Sequence, residues 1–174
     1  MISIRPGTAA DSEVLAEIEI AAGARFREVG MDAIADDEPI EVAVISRAAD
    51  EGRLWVAADD DEVVGYALGV MAGSQPHLEQ VSTRPDRQGL GVGRRLIDCA
   101  SDWAAQQGAR RLTLTTFRDV GWNAPLYEHL GFSVVADGEL TDDLAAVRAH
   151  ERSIGLDDAG CRVVMARPIT RPVE

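Results

Sequence analysis

The sequence predicts an α/β protein of the α+β type, formed by a single domain that covers residues 1–174. Three observations predict this class. Apolar residues recur at two-residue spacing in some segments and at three-to-four-residue spacing in others. These segments follow one another as β-α-α-β-β-β-α-β-α-β, with a late helix and strand. No internal repeat, linker or low-complexity stretch interrupts this order.

The first elements are a strand and a capped helix. Ile2–Arg5 alternates apolar and polar residues, which predicts a short strand. Thr8 and Asp11 have the spacing of a capping box. We expect the helix that follows to end at Gly23 or at a turn near Gly30.

A loop, a second helix and a hairpin come next. Residues 30–38 are rich in acidic side chains and predict a loop. A second helix is predicted to follow Pro39 and to stop at Gly52. The strands Leu54–Ala58 and Val63–Val70 are predicted to form a hairpin with an acidic tip.

The remaining elements follow from the same periodicities, with glycines at several of their ends. They are the strand Leu78–Thr83, the helix Val92–Gln107, the strand Arg111–Phe117, the helix Ala124–Leu130, the strand Phe132–Ala136, a helix capped by Thr141 and ending at Gly155, and the strand Cys161–Arg167.

Composition restricts the possible partners. The net charge of −13 argues against nucleic acid or an anionic membrane as partner, because phosphate-rich surfaces bind basic proteins. It fits a cationic acceptor such as an amine, although acidic surfaces more often only confer solubility. No apolar run approaches the roughly 18 residues of a membrane span, and no signal peptide is visible, so we expect a cytoplasmic protein.

The cysteines and histidines show no metal-binding pattern. Cys99 and Cys161 lie far apart, and His77, His129 and His150 form no ligand motif. We therefore expect no metal cofactor, and we interpret the cysteines as small apolar residues.

The segment Glu79–Leu96 combines a strand, a glycine-rich turn and the start of a helix. Unpaired backbone N–H groups and the positive end of a helix dipole converge at such a turn, so it can bind an anion. Arg84, Arg87, Arg94 and Arg95 are expected to add positive charge, opposed locally by Asp86 alone. A ligand carrying phosphate groups is the expected occupant, and a tight turn without a ligand is the alternative.

Two common phosphate-binding patterns do not fit this segment. The dinucleotide pattern G-x-G-x-x-G does not fit. If it began at Gly89, its third glycine would fall at position 94, which is an arginine. The Walker pattern requires a lysine, and the sequence contains none.

The run Gln88-Gly-Leu-Gly-Val-Gly93 instead resembles the Q/R-x-x-G-x-G/A signature of the GNAT N-acetyltransferase superfamily. A second run, from Asn123 through Tyr127 to Gly131-Phe132, resembles the second coenzyme-side motif of that family. The two motifs occur in the family's order, and the resemblance covers nearly the whole chain. It implies the GNAT fold, a central, mixed, mostly antiparallel and twisted sheet of about seven strands flanked by helices.

The resemblance also implies a coenzyme site. In the family the glycine loop cradles the pyrophosphate of acetyl-CoA, which is the cosubstrate, and strand backbone groups pair with the pantetheine arm. Asn123 lies where a polar side chain often meets the coenzyme, and capping of the short helix is the alternative. The residues implied to bind coenzyme are Val81, Ser82, Thr83, Gln88, Gly89, Leu90, Gly91, Val92, Gly93, Arg94 and Asn123.

Two residues are candidates for proton transfer. Tyr127 occupies the position of the family's proton donor to the departing thiolate, and packing of its ring is the alternative. Glu79 precedes the pantetheine-pairing residues on the same strand and is the candidate general base. A solvated carboxylate is the alternative for Glu79, since several family members use a water relay or no dedicated base.

The resemblance predicts direct transfer of acetyl to a primary amine in a ternary complex. Transfer of a longer acyl group and a non-catalytic acyl-CoA-binding module are the alternatives. The acceptor, a small molecule or a peptide, is expected to meet residues 23–40 and 137–160, which carry no motif. The family is often dimeric, so a homodimer is compatible with the resemblance.

Overall fold

The computed structural model describes residues 1–169 and confirms the α/β class, with a seven-stranded sheet and flanking helices. The strands are β1 (Ile2–Pro6), β2 (Leu54–Asp59), β3 (Glu62–Ala72), β4 (Gln75–Thr83), β5 (Arg111–Phe117), β6 (Ser133–Val134) and β7 (Arg162–Pro168). The helices are α1 (Ser12–Gly23), α2 (Asp32–Ala35), α3 (Val42–Asp50), α4 (Val92–Gln106), α5 (Ala124–His129), α6 (Asp142–Ser153) and α7 (Leu156–Ala159). Within residues 1–169, no helix is both long and apolar enough to span a membrane.

The sheet is mixed, as predicted. Its strand order is β1-β2-β3-β4-β5-β7-β6. Antiparallel ladders join β1 to β2, β2 to β3, β5 to β7 and β6 to β7. The parallel pair is β4 with β5, where His77 lies opposite Thr113. A parallel pair needs a crossover connection, and here α4 supplies it.

The described chain forms two compact units. The first contains Met1–Val70 and Leu78–Ala100, and the second contains Met71–His77 and the residues from Ser101 onward. The prediction of one domain over residues 1–174 remains a prediction, and residues 170–174 lie outside the described residues.

Each unit has its own buried apolar residues. In the first unit, α1 and α3 pack on β2 and β3 through Leu15, Ile45, Ala48, Leu54, Val56, Tyr66 and Leu68. In the second unit, the residues that are most fully buried include Leu112, Leu114, Leu144 and Met165. Burial of such side chains is the main favourable contribution to folding.

The turn before β4 is shorter than predicted. The sequence predicted that this strand begins at Leu78, but β4 already begins at Gln75. The Asp143 carboxylate accepts hydrogen bonds from the backbone N–H of Ser74 at 3.0 Å and from its hydroxyl at 3.1 Å. Gly73 supplies a left-handed conformation, with φ of 59°. Two residues therefore complete the turn, and Pro76 belongs to the strand.

The region between α1 and α3 is more helical than predicted. A 3-10 segment, Ala24–Val29, follows α1, and the short helix α2 lies within the predicted loop 30–38. Helix α3 begins at Val42, three residues after Pro39. The reason is that the N–H of Ile40 donates to the side chain of Glu19, at 3.2 Å, instead of entering a helical turn.

The elements after β5 follow the predicted order, with α7 as an additional short helix before β7. Helix α6 is capped as predicted, because the Thr141 hydroxyl accepts a hydrogen bond from the N–H of Leu144 at 3.4 Å. The predicted strand at Phe132–Ala136 is reduced to Ser133–Val134. A 3-10 turn at Asp137–Glu139 takes the chain away from β7.

The second unit contains a buried polar network between α6 and the sheet. His77 is 2% exposed, and its Nδ1 lies 2.9 Å from the Thr113 hydroxyl. The Glu151 carboxylate pairs with Arg162 at 2.8 Å and also with Arg148. Burial of His77 in this network lowers the pKa of its imidazole from 6.5 to about 4.

This pKa predicts a loss of stability in weak acid. Between pH 6.5 and about pH 4 the unfolded chain binds a proton at His77 and the folded chain does not. The free energy of unfolding should therefore decrease over this range as the pH falls, by up to about 3 kcal/mol from this group. Urea denaturation at a series of pH values measures the slope.

The His77→Gln variant keeps a group that can bond to Thr113 and should flatten that slope. His129→Gln is the matched control, because His129 is exposed. Equal slopes for wild type and His77→Gln would contradict the prediction.

Candidate active site

The glycine loop joins β4 to α4 within the first unit. After Thr83 the N–H of Arg84 donates to the Val64 carbonyl at 2.9 Å, and a 3-10 turn follows at Pro85–Arg87. Gly91 then has φ of 76°, a left-handed conformation that disfavours other residues, and α4 begins at Val92.

The start of α4 has backbone donors available for a ligand. The helical hydrogen bonds begin where Arg95 N–H donates to the Gly91 carbonyl, at 3.2 Å. The N–H groups of Val92, Gly93 and Arg94 precede that bond and therefore have no acceptor within the helix. Together with the helix dipole, these three N–H groups form a site for an anion such as phosphate.

The reason for glycine at position 93 differs from the reason at position 91. Gly93 lies in the first turn of α4 without a left-handed φ. A Cβ added there would have Thr83 Cγ2 as its nearest neighbour, at 4.0 Å, which is an ordinary contact. Neither the backbone conformation nor the packing demands glycine at position 93, which leaves close approach of a ligand as an explanation.

The strand residues Val81, Ser82 and Thr83 lie beside this loop in the same unit. Leu78 and Ser82 are buried, whereas Val81 and Thr83 are partly exposed. Gly65 of β3 makes the arrangement possible. A Cβ at Gly65 would lie 2.9 Å from the Ser82 carbonyl oxygen and 3.3 Å from Val92 Cγ1. A glycine inside a strand often marks the close approach of another backbone, so Gly65 could have been recognised from the sequence as such a position.

The charges around the loop differ from the expectation. Arg84 pairs with Glu62 and, at 3.3 Å, with Asp86. Arg87 pairs with Asp86 at 2.8 Å and with Glu62 at 3.4 Å. The expectation that Asp86 alone opposes these arginines was therefore wrong, because the hairpin that joins β2 to β3 brings Glu62 to both guanidinium groups.

Positive charge near the loop comes from other residues. Arg94 is exposed and forms no ion pair within the described part of the chain. Arg25, which sequence reasoning missed, donates from its guanidinium to Gln88 Oε1 at 3.2 Å. Arg25 lies 63 residues before Gln88, so only the folded chain shows that they are neighbours.

Tyr127 lies on α5 in the second unit. Its ring packs edge-on against Phe132, with ring centroids 5.7 Å apart. Burial raises the pKa of the Tyr127 hydroxyl to about 12, and the positive charge of Arg162 acts in the opposite direction. The hydroxyl makes no hydrogen bond to residues 1–169, so it remains able to donate one to a ligand.

Asn123 immediately precedes α5. Its Oδ1 accepts a hydrogen bond from the Thr116 hydroxyl at 2.7 Å. The alternative that the Asn123 side chain caps α5 was wrong, because no side-chain capping bond forms there. Its amide NH₂ is the group that could meet a coenzyme.

Glu79 lies in β4 and is exposed, and it belongs to the first unit with the glycine loop. The structure thus brings Glu79, Val81–Thr83 and residues 88–94 together in one unit. It places Tyr127 and Asn123 in the other unit, and the roles proposed for all of these residues are still predictions. Among residues 1–169, no group of three or more His, Cys, Asp or Glu side chains is arranged to hold a metal ion.

Solved structures show the same fold. N-acetylglutamate synthase from Neisseria gonorrhoeae, in complex with coenzyme A and N-acetyl-glutamate, is 19% identical, with a TM-score of 0.70. The match covers 98% of this chain but only 36% of the synthase. The PaiA N-acetyltransferase from Thermoplasma acidophilum, in complex with coenzyme A, is 17% identical, with a TM-score of 0.70 and coverage of 97% of this chain and 99% of that one.

A third similar structure is the ribosomal-protein-S18-alanine N-acetyltransferase from Escherichia coli. It is 20% identical, with a TM-score of 0.64, and the match covers 100% of this chain and 97% of that chain. At these identities the likeness establishes the fold and not the acceptor.

The family itself is established by sequence. A sequence model of the Acetyltransferase (GNAT) family matches residues 16–132, which include most of α1, the glycine loop, Tyr127 and Phe132. This match extends over more than half of the chain, and the strand, loop and helix it includes have the geometry described above. The chain therefore belongs to the GNAT family of acetyltransferases.

Proposed function

We propose that this acetyltransferase moves the acetyl group of acetyl-CoA to a primary amine by direct transfer in a ternary complex. The observation that carries the proposal is the start of α4, where three backbone N–H groups follow Gly91 at the end of the loop that leaves β4. This site would hold the pyrophosphate of the coenzyme, with Gln88, Gly89 and Leu90 as the approach to it. Arg94 and Arg25 would supply charge.

The strand before the loop would bind the rest of the coenzyme. Backbone groups of Val81, Ser82 and Thr83 would pair with the pantetheine arm, and Asn123 would donate from its amide. A backbone N–H of β4 would stabilise the oxyanion that forms when the amine attacks the thioester carbonyl. Holding the amine and the thioester together would remove much of the entropic barrier.

Tyr127 would act on the departing sulfur. A thiol has a pKa of about 8.5, whereas the pKa of Tyr127 is about 12. Complete proton transfer from tyrosine to thiolate would therefore cost about 5 kcal/mol. We infer that the hydroxyl stabilises the thiolate as a hydrogen-bond donor, and that the net proton comes from solvent.

The amine must lose a proton before it can attack. An alkylammonium ion has a pKa of about 10.4, so only about one molecule in a thousand is neutral near pH 7. Glu79 would take this proton, directly or through water. It lies upstream of the pantetheine-pairing residues on β4, and its exposure makes it accessible.

Assays of coenzyme consumption over a panel of primary amines and peptides test the function. Acetyl-CoA and longer acyl-CoA esters are compared as donors. Double-reciprocal plots of the initial rate that intersect would indicate a ternary complex, whereas parallel plots would indicate an acyl-enzyme. Coenzyme binding without consumption by any acceptor would support the non-catalytic alternative. Faster turnover of a longer ester would support the alternative acyl group. Neither Cys99 nor Cys161 forms a disulfide within residues 1–169, which fits the cytoplasmic location that we infer.

The first prediction from the proposed function concerns Gly91. Gly91→Asn adds a side chain while keeping a residue that tolerates a left-handed conformation. The added atoms should obstruct the pyrophosphate and raise the Kd for CoA more than tenfold, a loss of about 1.4 kcal/mol. Isothermal titration calorimetry measures the change.

Gly108→Asn is the matched control. Gly108 also has φ of 76° and has no atom within 4 Å of an added Cβ, but it lies beyond the other end of α4. Its CoA affinity should match that of wild type. Equal affinities in all three proteins would remove the loop from the coenzyme site.

The second prediction concerns Tyr127. Tyr127→Phe keeps the ring against Phe132 and removes only the hydroxyl, so the unfolding temperature and the Kd for CoA should change little. A hydrogen bond to a charged group contributes about 1.5–3 kcal/mol, so kcat should fall by about 10- to 100-fold. A variant that keeps most of its kcat would support the packing interpretation.

The third prediction concerns Glu79. If Glu79 takes the proton, Glu79→Gln should lower kcat/KM most below neutral pH, where nearly all of the amine is protonated. The deficit should shrink as rising pH supplies neutral amine from solution. Profiles of kcat/KM from about pH 6 to 10 are compared for wild type, Glu79→Gln and the control Glu13→Gln, which changes an exposed residue of α1. Parallel profiles would assign the base to water or to the substrate.

A further inference from the structure

Glu19 on α1 holds a carboxylate in an unusual environment. Its Oε2 accepts a hydrogen bond from the Tyr66 hydroxyl at 2.6 Å and another from the N–H of Ile40 at 3.2 Å. Both donors are neutral, so the negative charge of Glu19 is solvated by hydrogen bonds and is not neutralised by either of them.

The anchor of this carboxylate is rigid. Tyr66 is 0% exposed and belongs to the buried cluster of the first unit. Ile40 packs against the same cluster. Close packing of the ring and of Ile40 fixes the two donors, and the donors in turn fix the rotamer of Glu19.

The other oxygen of Glu19 is free to bind a ligand. Oε1 makes no hydrogen bond within residues 1–169, and it is not among the buried atoms of that range that lack a partner, so solvent reaches it. No ion pair neutralises Glu19 within the described chain. A partly buried carboxylate of this kind is stabilised when a cation binds to it.

The charged and titratable groups that face Glu19 favour the same occupant. They are Tyr66 on β3 and Asp37 on the segment before α3. Burial raises the pKa of the Glu19 carboxyl, the hydrogen bond from Tyr66 lowers it, and the negative charge of Asp37 raises it. Neither neighbour contributes positive charge, so a cation would have to come from a ligand.

The position of Glu19 connects it with the coenzyme loop. Helix α1 continues into the 3-10 segment that carries Arg25, and Arg25 donates to Gln88 at the start of the loop. Ile40, the other partner of Glu19, ends the segment 23–40 in which the acceptor is expected. Glu19 thus lies within the part of the first unit that extends from the acceptor segment to the coenzyme loop.

We propose that Oε1 of Glu19 binds a positively charged group of the acceptor, which makes the substrate class a cationic amine. This inference rests on the proposed function, because it concerns the second substrate of that reaction. Tyr66 and Ile40 act as positioning groups, since they hold Oε2 and leave Oε1 for the ligand. Glu19 is therefore a determinant of acceptor specificity, separate from the proton acceptor.

Glu19→Gln isolates the charge from the structure. The amide oxygen of glutamine still accepts from Tyr66 and Ile40, so the fold and the α1 anchor should persist. The negative charge disappears. Glu17→Gln is the matched control, because Glu17 lies on the same helix and is exposed.

The test uses 1,4-diaminobutane as the probe and the complex of the full chain with CoA as the receptor. Calorimetry should show that Glu19→Gln raises the Kd for the probe about 10- to 100-fold, whereas Glu17→Gln leaves it unchanged. In wild type the affinity should also fall as the pH falls through the pKa of Glu19, because protonation removes the charge. This pH dependence should be absent in Glu19→Gln. The uncharged analogue 1,4-butanediol should bind wild type and Glu19→Gln equally weakly.

Turnover separates this inference from the proposed function. In an acetyl-CoA consumption assay with 1,4-diaminobutane, Glu19→Gln should raise KM and change kcat little. Equal KM and Kd values in wild type and Glu19→Gln, or no binding of the probe to wild type, would overturn the role of Glu19. Failure of wild type to bind CoA, or to consume acetyl-CoA with any amine, would overturn the proposed function. Calorimetry of 1,4-diaminobutane with the full chain, with CoA where it binds and without CoA where it does not, would still decide whether Glu19 binds a cation.

Discussion

The left-handed backbone at Gly91 is the constraint on which the rest of the candidate site depends. It ends the loop that follows β4 and turns the chain into the first turn of α4 at Val92. The N–H groups of the first turn of α4 precede the helical hydrogen bond from Arg95 to Gly91 and have no acceptor within the helix. Gly65 on the neighbouring strand allows the close packing of β4 and α4 against β3. Two glycines that are distant in sequence thus determine one geometry.

Electrostatics divides the arginines around the loop into two groups. Arg84 and Arg87 form ion pairs with acidic side chains that include Glu62, and these pairs fix the hairpin against the loop. Ion pairs of this exposed kind contribute little to stability, but they remove net charge from the loop. Arg94 forms no ion pair within the described chain, and Arg25 lies 3.9 Å from Glu28 and donates to Gln88. The positive charge available to a phosphate is therefore smaller than the number of arginines indicates.

Buried polar groups have different roles in the two units. In the second unit, Glu151 is neutralised by Arg148 and Arg162, and its pair with Arg162 joins α6 to the sheet. In the first unit, Glu19 has only neutral donors, one of them from the fully buried Tyr66. A carboxylate without a counterion is costly unless a ligand supplies the charge. This contrast is why Glu19, and not Glu151, is assigned to substrate binding.

The sequence by itself determined the order of the elements, the glycine loop and the family motifs, because these depend on local periodicity and on residues close in the chain. It predicted Gln88–Arg94 and Tyr127 for that reason. Only the tertiary structure decided which arginines are neutralised, that Arg25 meets Gln88, and that Glu19 is held by Tyr66. Arg25 and Gln88 are 63 positions apart, and Glu19 and Tyr66 are 47 positions apart. Arg84 is 22 positions from Glu62, and its pair with Asp86 is local. Local pattern carries no information on the distant pairs, since they are brought together by the packing of α1 and of the β2–β3 hairpin.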